Sequence, residues 1–594
     1  MEFLRNLANL FVFNPDKPII FSSGHFLLLF IVFLIIYTLL LKKRILNSLF
    51  VVGFSFLFYY LSSGEHVILL FITTILTYYL GIGLNKAETE TSRKIWLAIG
   101  ILPGLLALAY FKYTNFFITN INQIIESNFA LKDIALPVGI SFYTFQSISY
   151  MIDIYRKKVD PADNILDFAF YLVFFPQLVA GPIVKANHFL PQLKTEPNIS
   201  SKQANWGLWL IIIGLVKKGV IADYIAQYND LIFAAPQNYS GFENLMGVFG
   251  YALQIFCDFS GYSDMAIGIG KVMGYDLGIN FNSPYKSLSV SEFWKRWHIS
   301  LSTWLQEYLY IPLGGNRTFS KFSLYSIPTI LILSVLLQDA SLINIIIVLT
   351  ISVLGILSFY SNKMIFTIIT LLLSTIMAIV WFNSCLITSI ILIVGLILWL
   401  IALANPNTVK YIQTDINLLL TMLIGGLWHG SAWKFVFWGG AHGVALGIDK
   451  LIKKFLPSNI FTKILMWLLT FTFVVFLWIF FRASDISYET ELEDGTTQTV
   501  VVESFKVPFI ILEKVFTDFD IQFAVHFWDA RYIWVIMLLF GFVCHFIPEQ
   551  ISNKIRDVFI EMNIVFKILI LLIVCQLVIQ FASETVQPFI YFQF

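Results

Sequence analysis

The stretch GGLWHGSAWKFVFWGGAHG, residues 425–443, sets two imidazoles, His429 and His442, among glycine, aromatic and aliphatic residues, with Lys434 as its only full charge. Apolar surroundings disfavour the charged form of an imidazole, which lowers its pKa and leaves it available as a base near neutral pH. Ionisable groups inside a membrane are costly enough to be functional suspects. A histidine in a helical bundle can also serve only to bridge two helices, and residue types alone leave both uses open. His298 lies in a second stretch, SLSVSEFWKRWHISLSTWLQEYLYIPLGGNR (287–317), on an apolar side shared with Trp297 and Trp304. Its alternative is a histidine hydrogen-bonded among tryptophans at the membrane interface. A third stretch, QIFCDFSGYSDMAIG (254–268), clusters Asp258, Ser260, Tyr262, Ser263 and Asp264. An unpaired carboxylate at mid-bilayer would cost roughly 2.5–3.5 kcal/mol. These groups are therefore expected to pair with one another or with backbone, as a structural polar knot, with direct catalysis as the alternative.

Several chemistries are excluded by pattern. The eight histidines include no HExxH pair, and Cys257, Cys385, Cys544 and Cys575 lie in apolar surroundings without CxxC spacing. No metal site is expected, and the thiols should be buried or lipid-facing. GIGKVMG (268–274) lacks the first glycine and the Ser/Thr of a phosphate loop, and GYSDM lacks the second glycine of a nucleophile elbow. A net charge of +1 argues against nucleic acid as a partner.

The elements that must position these residues are membrane helices. With 58% hydrophobic and 13% charged residues, 594 residues have too little polar surface to cover several soluble globules. Apolar runs long enough to cross roughly 30 Å of hydrocarbon recur at 26–41, 67–84, 95–111, 464–481 and 564–582, among others. The expectation is an all-α, polytopic integral membrane protein of about 12–15 spans, a single domain over 1–594 with no internal repeat and no removable signal peptide. Lys42, Lys43 and Arg44 place the end of the first span in the cytoplasm, as do Lys450, Lys453, Lys454 and Lys463 for a later loop. The acidic segment 486–504 carries no basic residue and is expected outside. Within 287–317, Ser289 and Glu292 have capping-box spacing, and Pro312, Gly314 and Gly315 supply a stop. The spacing predicts one amphipathic helix over 290–310 that lies at the interface or dips into a protein cavity. Residues 322–404 form nearly continuous apolar sequence that divides into about four spans.

Taken together, these stretches resemble the membrane-bound O-acyltransferase (MBOAT) family, most closely its bacterial branch of alginate O-acetyltransferase membrane subunits and teichoic acid D-alanyl transferases. LPVGISFYTFQSISYMIDIYR (136–156), FFPQLVAGPI (174–183), the three stretches above, FFRA (480–483) and the closing PFIYFQF carry the resemblance in the same order along the chain. It implies a helical bundle with a central tunnel and interfacial amphipathic helices. It implies His429 and His298 as the catalytic pair, with His442, Trp297, Trp304, Asp258 and Asp264 in support. On this reading His429 takes the proton of an incoming hydroxyl, and His298 positions the acyl group or polarises its carbonyl. The family passes quickly from IPLGGNR to the NLLLTM segment, whereas here residues 318–416 intervene, so 322–404 reads as an insertion. An even number of spans in it keeps the orientation of His429.

The implied activity is transfer of an acyl group, acetyl by preference, from a cytoplasmic thioester toward hydroxyls of an exported polysaccharide, directly or through a periplasmic or extracellular partner. No tightly bound cofactor is expected. Acetyl-CoA or an acyl carrier protein is the co-substrate, and membrane lipids surround the chain. The alternatives are D-alanyl, peptidoglycan or lipid O-acyl transfer and, in a different class, a proton-coupled transporter or flippase.

Overall fold

The computed structural model of the chain describes residues 10–317, 406–491 and 497–581, apart from Asp16, Asn198, Leu456 and Ser458. The insertion at 322–404 and the closing PFIYFQF lie outside the described residues. The described chain is almost entirely helical, with one two-stranded antiparallel sheet. In order it runs α1 (Gly24–Leu40), α2 (Arg44–Ser63), α3 (Val67–Lys86), α4 (Glu90–Leu108), α5 (Thr114–Ile124), α6 (Ile140–Tyr155), α7 (Ile165–Val173), a turn at Phe175–Leu178, α8 (Ala186–Leu193), α9 (Ser201–Leu215), α10 (Asp223–Ala234) and α11 (Gly241–Val272). Then come α12 (Val290–Arg296), α13 (Ile299–Leu305), α14 (Pro406–His429), α15 (Trp433–Phe455), α16 (Ile460–Arg482), β1 (Ile486–Glu491), β2 (Thr497–Val502), α17 (Val507–Thr517), α18 (Phe523–Phe546), α19 (Glu549–Glu561) and α20 (Ile564–Phe581). Among the described residues, five helical stretches are long and apolar enough to cross a membrane: Arg44–Lys86, Glu90–Gln123, Ile460–Arg482, Phe523–Phe546 and Ile564–Phe581. The polytopic helical architecture is that of a membrane protein.

By contact the chain divides into two compact units, one of residues 1–111, 135–302 and 458–594, the other of 112–134 and 303–457. The first is organised on α11. Ser240 and Glu243 close a capping box at its start, and every residue from Gly247 to Gly270 except Phe249 and Asp264 is buried. Glycines seven residues apart let α9 lie against it: a Cβ on Gly214 would meet the Gly261 carbonyl at 2.5 Å, and one on Gly268 would meet the Gly207 carbonyl at 2.6 Å. Directly after α9 the chain widens into a π-helical turn, Val216–Ala222. That turn delivers Lys217 to Asp264 at 2.7 Å, and Lys218 to Asp258 at 2.5 Å and Asp223 at 2.8 Å. The polar knot expected in 254–268 therefore exists, but with a correction: its carboxylates take as partners two lysines that directly follow the neighbouring helix, outside the stretch itself. Sequence order hides this pairing, because α9 and α11 become neighbours only through their glycines.

The helix expected over 290–310 is also corrected. The Ser289 side chain caps α12 by accepting from the Glu292 N–H at 3.2 Å, as its spacing predicts. The helix nevertheless stops after Arg296 and restarts at Ile299. Between them His298 adopts a left-handed backbone, φ 43°. The cause is a second segment of the same chain, residues 280–282: the Asn282 N–H donates to the Arg296 carbonyl at 2.9 Å, and the Ile299 N–H donates to the Asn280 carbonyl at 2.9 Å. These bonds replace the helical ladder at the point of the break. Of the two placements expected for the aromatic face, the membrane interface or the protein interior, the structure shows the second, with Trp294, Trp297 and Trp304 all buried.

Candidate functional site

The second unit holds His429 and His442. Gly426 and Gly439 bring α14 and α15 together, a Cβ on Gly426 standing 3.1 Å from the Gly439 Cα. Backbones this close leave room for rings only at the rims of the contact. Trp438 occupies that place between the two imidazoles, edge-on to His429 with ring centres 5.1 Å apart and edge-on to His442 at 4.8 Å. Trp428 also packs edge-on against His429, with ring centres 4.9 Å apart. Both histidines are buried, at 2% and 0% exposure, so whatever reaches His429 must shed its water.

His429 is the last residue of α14, where the helix leaves carbonyls without intrahelical donors. Two residues absent from the sequence expectations supply donors. The Lys112 ammonium donates to the Trp428 carbonyl at 2.6 Å and to the His429 carbonyl at 3.1 Å, and the Tyr113 hydroxyl donates to the Leu427 carbonyl at 3.0 Å. A donor placed there satisfies carbonyls that the helix end leaves open. Lys112 also stands 5.8 Å from the centre of the Trp428 ring. Both residues sit on a π-helical turn, Ala109–Tyr113, between α4 and α5. Such turns recur at functional positions because they re-aim side chains that a regular helix would point elsewhere. Nothing in the local sequence FKY announces that role. In the first half of α14, the Asn417 amide donates to the Gly315 carbonyl at 2.9 Å. Trp304 is in this unit, buried and packed on Tyr308 with ring centres 5.3 Å apart.

His298 and Trp297 belong to the first unit and are described by themselves. His298 is fully buried. Its ring meets Phe259 edge-on at 4.6 Å, with Phe142 at 6.4 Å and Phe281 at 6.5 Å. Burial pushes its imidazole down to about 3, so it is neutral throughout the physiological range. Its Nδ1 lies 3.2 Å from the Asn280 side-chain oxygen. The same oxygen accepts from the Ser300 N–H at 3.2 Å and the Ser300 hydroxyl at 2.9 Å, while the Asn280 amide donates to the Ser263 hydroxyl at 3.1 Å. Ser300 in turn accepts from the Ile183 N–H at 3.0 Å, which ties the GPI segment to the same node. Trp297 packs on Trp478 at 4.9 Å and Phe293 at 5.6 Å. Asp258 and Asp264 are engaged with Lys218 and Lys217, which makes them supports of α11. Among the described residues no group of histidine, cysteine and carboxylate side chains could hold a metal ion.

Residues 158–394 match the family described as MBOAT, membrane-bound O-acyltransferase family. The chain is 34% identical to the probable alginate O-acetylase AlgI of Pseudomonas aeruginosa, an alignment covering 81% of this chain and 76% of that one. It is 31% identical to the peptidoglycan O-acetyltransferase of Helicobacter pylori over 76% of this chain and 74% of that one. To the teichoic acid D-alanyltransferase of Bacillus subtilis it is 31% identical over 29% of this chain and 45% of that one.

Proposed function

Because the chain belongs to the membrane-bound O-acyltransferase family, and so is a membrane-embedded O-acyltransferase, we propose that it passes acetyl groups from a cytoplasmic thioester, acetyl-CoA or an acyl carrier protein, to hydroxyls of an exported polysaccharide. The membrane is the bacterial cytoplasmic membrane, and the final acceptor is reached directly or through an extracytoplasmic acyltransferase partner. His429 is the general base. The hydroxyl oxygen attacks the thioester carbonyl carbon while His429 takes the hydroxyl proton. As the tetrahedral centre collapses the C–S bond breaks, and the proton passes to the departing thiolate. No covalent enzyme intermediate is needed.

The observation that carries this reading is the setting of His429. It is a buried imidazole at a helix terminus, walled by Trp428 and Trp438 and with its backbone held by Lys112. An imidazole so placed can accept a proton but is shielded from bulk water, which suits a base acting on a hydroxyl that must outcompete water for the thioester. The likeness to a peptidoglycan O-acetyltransferase over most of the chain supports a second acceptor, the glycan strands of the wall.

Cells supplied with radiolabelled acetate, expressing wild type or His429→Ala, test both points. The variant should insert in normal amounts and lose about 10²-fold or more of label transfer. Transfer within about tenfold of wild type would remove His429 from the chemistry. Label in secreted polysaccharide or in purified wall sacculi decides between the acceptors.

A further inference from the structure

We propose that Asn280 is a positioning residue that holds His298 in the Nδ1–H tautomer, so that His298 meets the substrate through Nε2 as a hydrogen-bond acceptor. The inference rests on the acyl-transfer reading above and on the family resemblance that makes His298 a partner of His429 in it, and it changes the part that histidine plays. The argument begins with a backbone group. The Ser300 N–H can only donate, and it points at the Asn280 side-chain atom 3.2 Å away. That atom must be the amide oxygen, because the amide nitrogen would oppose donor to donor. The Asn280 nitrogen then faces the Ser263 hydroxyl at 3.1 Å, which can accept. With the orientation of the amide settled, the oxygen that lies 3.2 Å from His298 Nδ1 is an acceptor. A neutral imidazole has one N–H and one lone pair. The N–H is therefore on Nδ1, and the lone pair is on Nε2.

Asn280 also acts on the backbone. Its own carbonyl accepts from the Ile299 N–H at 2.9 Å, directly after the left-handed His298. A left-handed conformation costs an ordinary L-residue roughly 1–2 kcal/mol, and one asparagine contributes to the support of both the strained backbone and the ring. Such strain at a polar site is the mark of a side chain held for use. A histidine in this tautomer cannot polarise a carbonyl, because that would need a proton on Nε2. It can receive an O–H or N–H group of the substrate: the acceptor hydroxyl, or an amide of the pantetheine arm that carries the thioester.

Solid-state NMR of the full chain, labelled with 15N-histidine and reconstituted in phosphatidylcholine bilayers, reads the tautomer directly. The His298 signals are identified by their loss in His298→Asn, a residue that tolerates the left-handed backbone. Nδ1 should be protonated and Nε2 bare at pH 7, and a protonated Nε2 in the wild type would overturn the proposal. Asn280→Leu, close in shape, should give a mixed or inverted tautomer and at least about a tenfold loss of acyl transfer. Asn280→Asp, which retains an acceptor for Nδ1–H, should restore the tautomer and part of the rate. An unchanged His298 tautomer in Asn280→Leu would also overturn it. A rise in KM for the thioester in that variant assigns Nε2 to the donor arm, and a fall in kcat with unchanged KM assigns it to the hydroxyl. If His298→Asn keeps full activity while the wild type shows Nδ1–H, the use of His298 in the reaction fails and Asn280's control of its tautomer stands.

Discussion

Lys112 holds the carbonyls of Trp428 and His429 from a turn more than three hundred positions earlier in the chain, so the aim of the proposed base depends on a residue with no chemistry of its own. Lys112→Met removes both hydrogen bonds, each of a kind worth about 0.5–1.5 kcal/mol. The freed helix end shifts the imidazole, and a misplacement on the order of 1 Å costs about 10²-fold in rate. A loss of that size is expected in acyl transfer per inserted molecule, with Lys112→Arg keeping most of the rate because the guanidinium still donates. His298 gives a pH prediction. Folding holds its imidazole down at about 3 from its ordinary 6.5, so as pH falls below 6.5 the unfolded chain takes the proton first and the fold loses stability. Detergent-solubilised wild type should melt at a lower temperature at pH 5 than at pH 7.5, and His298→Asn should narrow that difference. An unchanged pH difference in the variant would show that His298 is not among the groups that set it.

At the scale of elements, α11 owes its place to an ion-pair knot and to glycine contacts. Lys218 is 2% exposed between Asp258 and Asp223. Removing one partner of such a pair leaves a buried charge alone, at a cost of about 3–5 kcal/mol. Lys218→Met is therefore expected to reduce the amount of folded protein recovered from membranes and to lower its melting temperature. Lys218→Met paired with Asp258→Asn should recover part of that loss, which size-exclusion profiles of the solubilised protein would read. In α15, a Cβ on Gly439 would run into the Met422 carbonyl and come within 3.0 Å of the Gly426 Cα. Gly439→Ala should thus push α14 and α15 apart and lower activity through the Trp428–His429–Trp438 stack, with a smaller loss of folded protein than Lys218→Met.

For the whole molecule the open question is topology. Lys42, Lys43 and Arg44 stand at the junction of α1 and α2, and the Arg44 guanidinium pairs with Asp167 at 3.0 Å. α16 carries Lys463 near its start and leads into the acidic hairpin of β1 and β2. The charge bias places the first junction in the cytoplasm and the hairpin outside. Single cysteines in a background cleared of Cys257, Cys385, Cys544 and Cys575 check this with an impermeant maleimide. Position 43 should react only in opened cells, and position 501 in intact ones. Reaction of both from the same side would reverse the orientation on which a cytoplasmic thioester donor depends.

The composition and the apolar runs near 67–84, 95–111, 464–481 and 564–582 were enough to foresee helices that the structure shows at Val67–Lys86, Glu90–Leu108, Ile460–Arg482 and Ile564–Phe581, because span length follows from bilayer thickness and local hydropathy alone. The histidine-bearing motifs and their order were equally legible, since residue types at close spacing are a property of the chain. What the tertiary structure decided is every pairing between segments remote in sequence. The break at His298 looks like continuous helix in the pattern of Trp294, Trp297, Leu301 and Trp304. It exists because residues 280–282 compete for the backbone groups of 296–299. Lys217 and Lys218 have no partner marked in the sequence, and the glycines of α9 and α11 bring them beside two aspartates. Lys112 and Tyr113 lie just past the apolar run 95–111, and a π-helical turn aims them at the end of α14. In each case a hydrogen-bonding or charged group took the partner that folding brought near, and no local period encodes the distance along the chain to that partner.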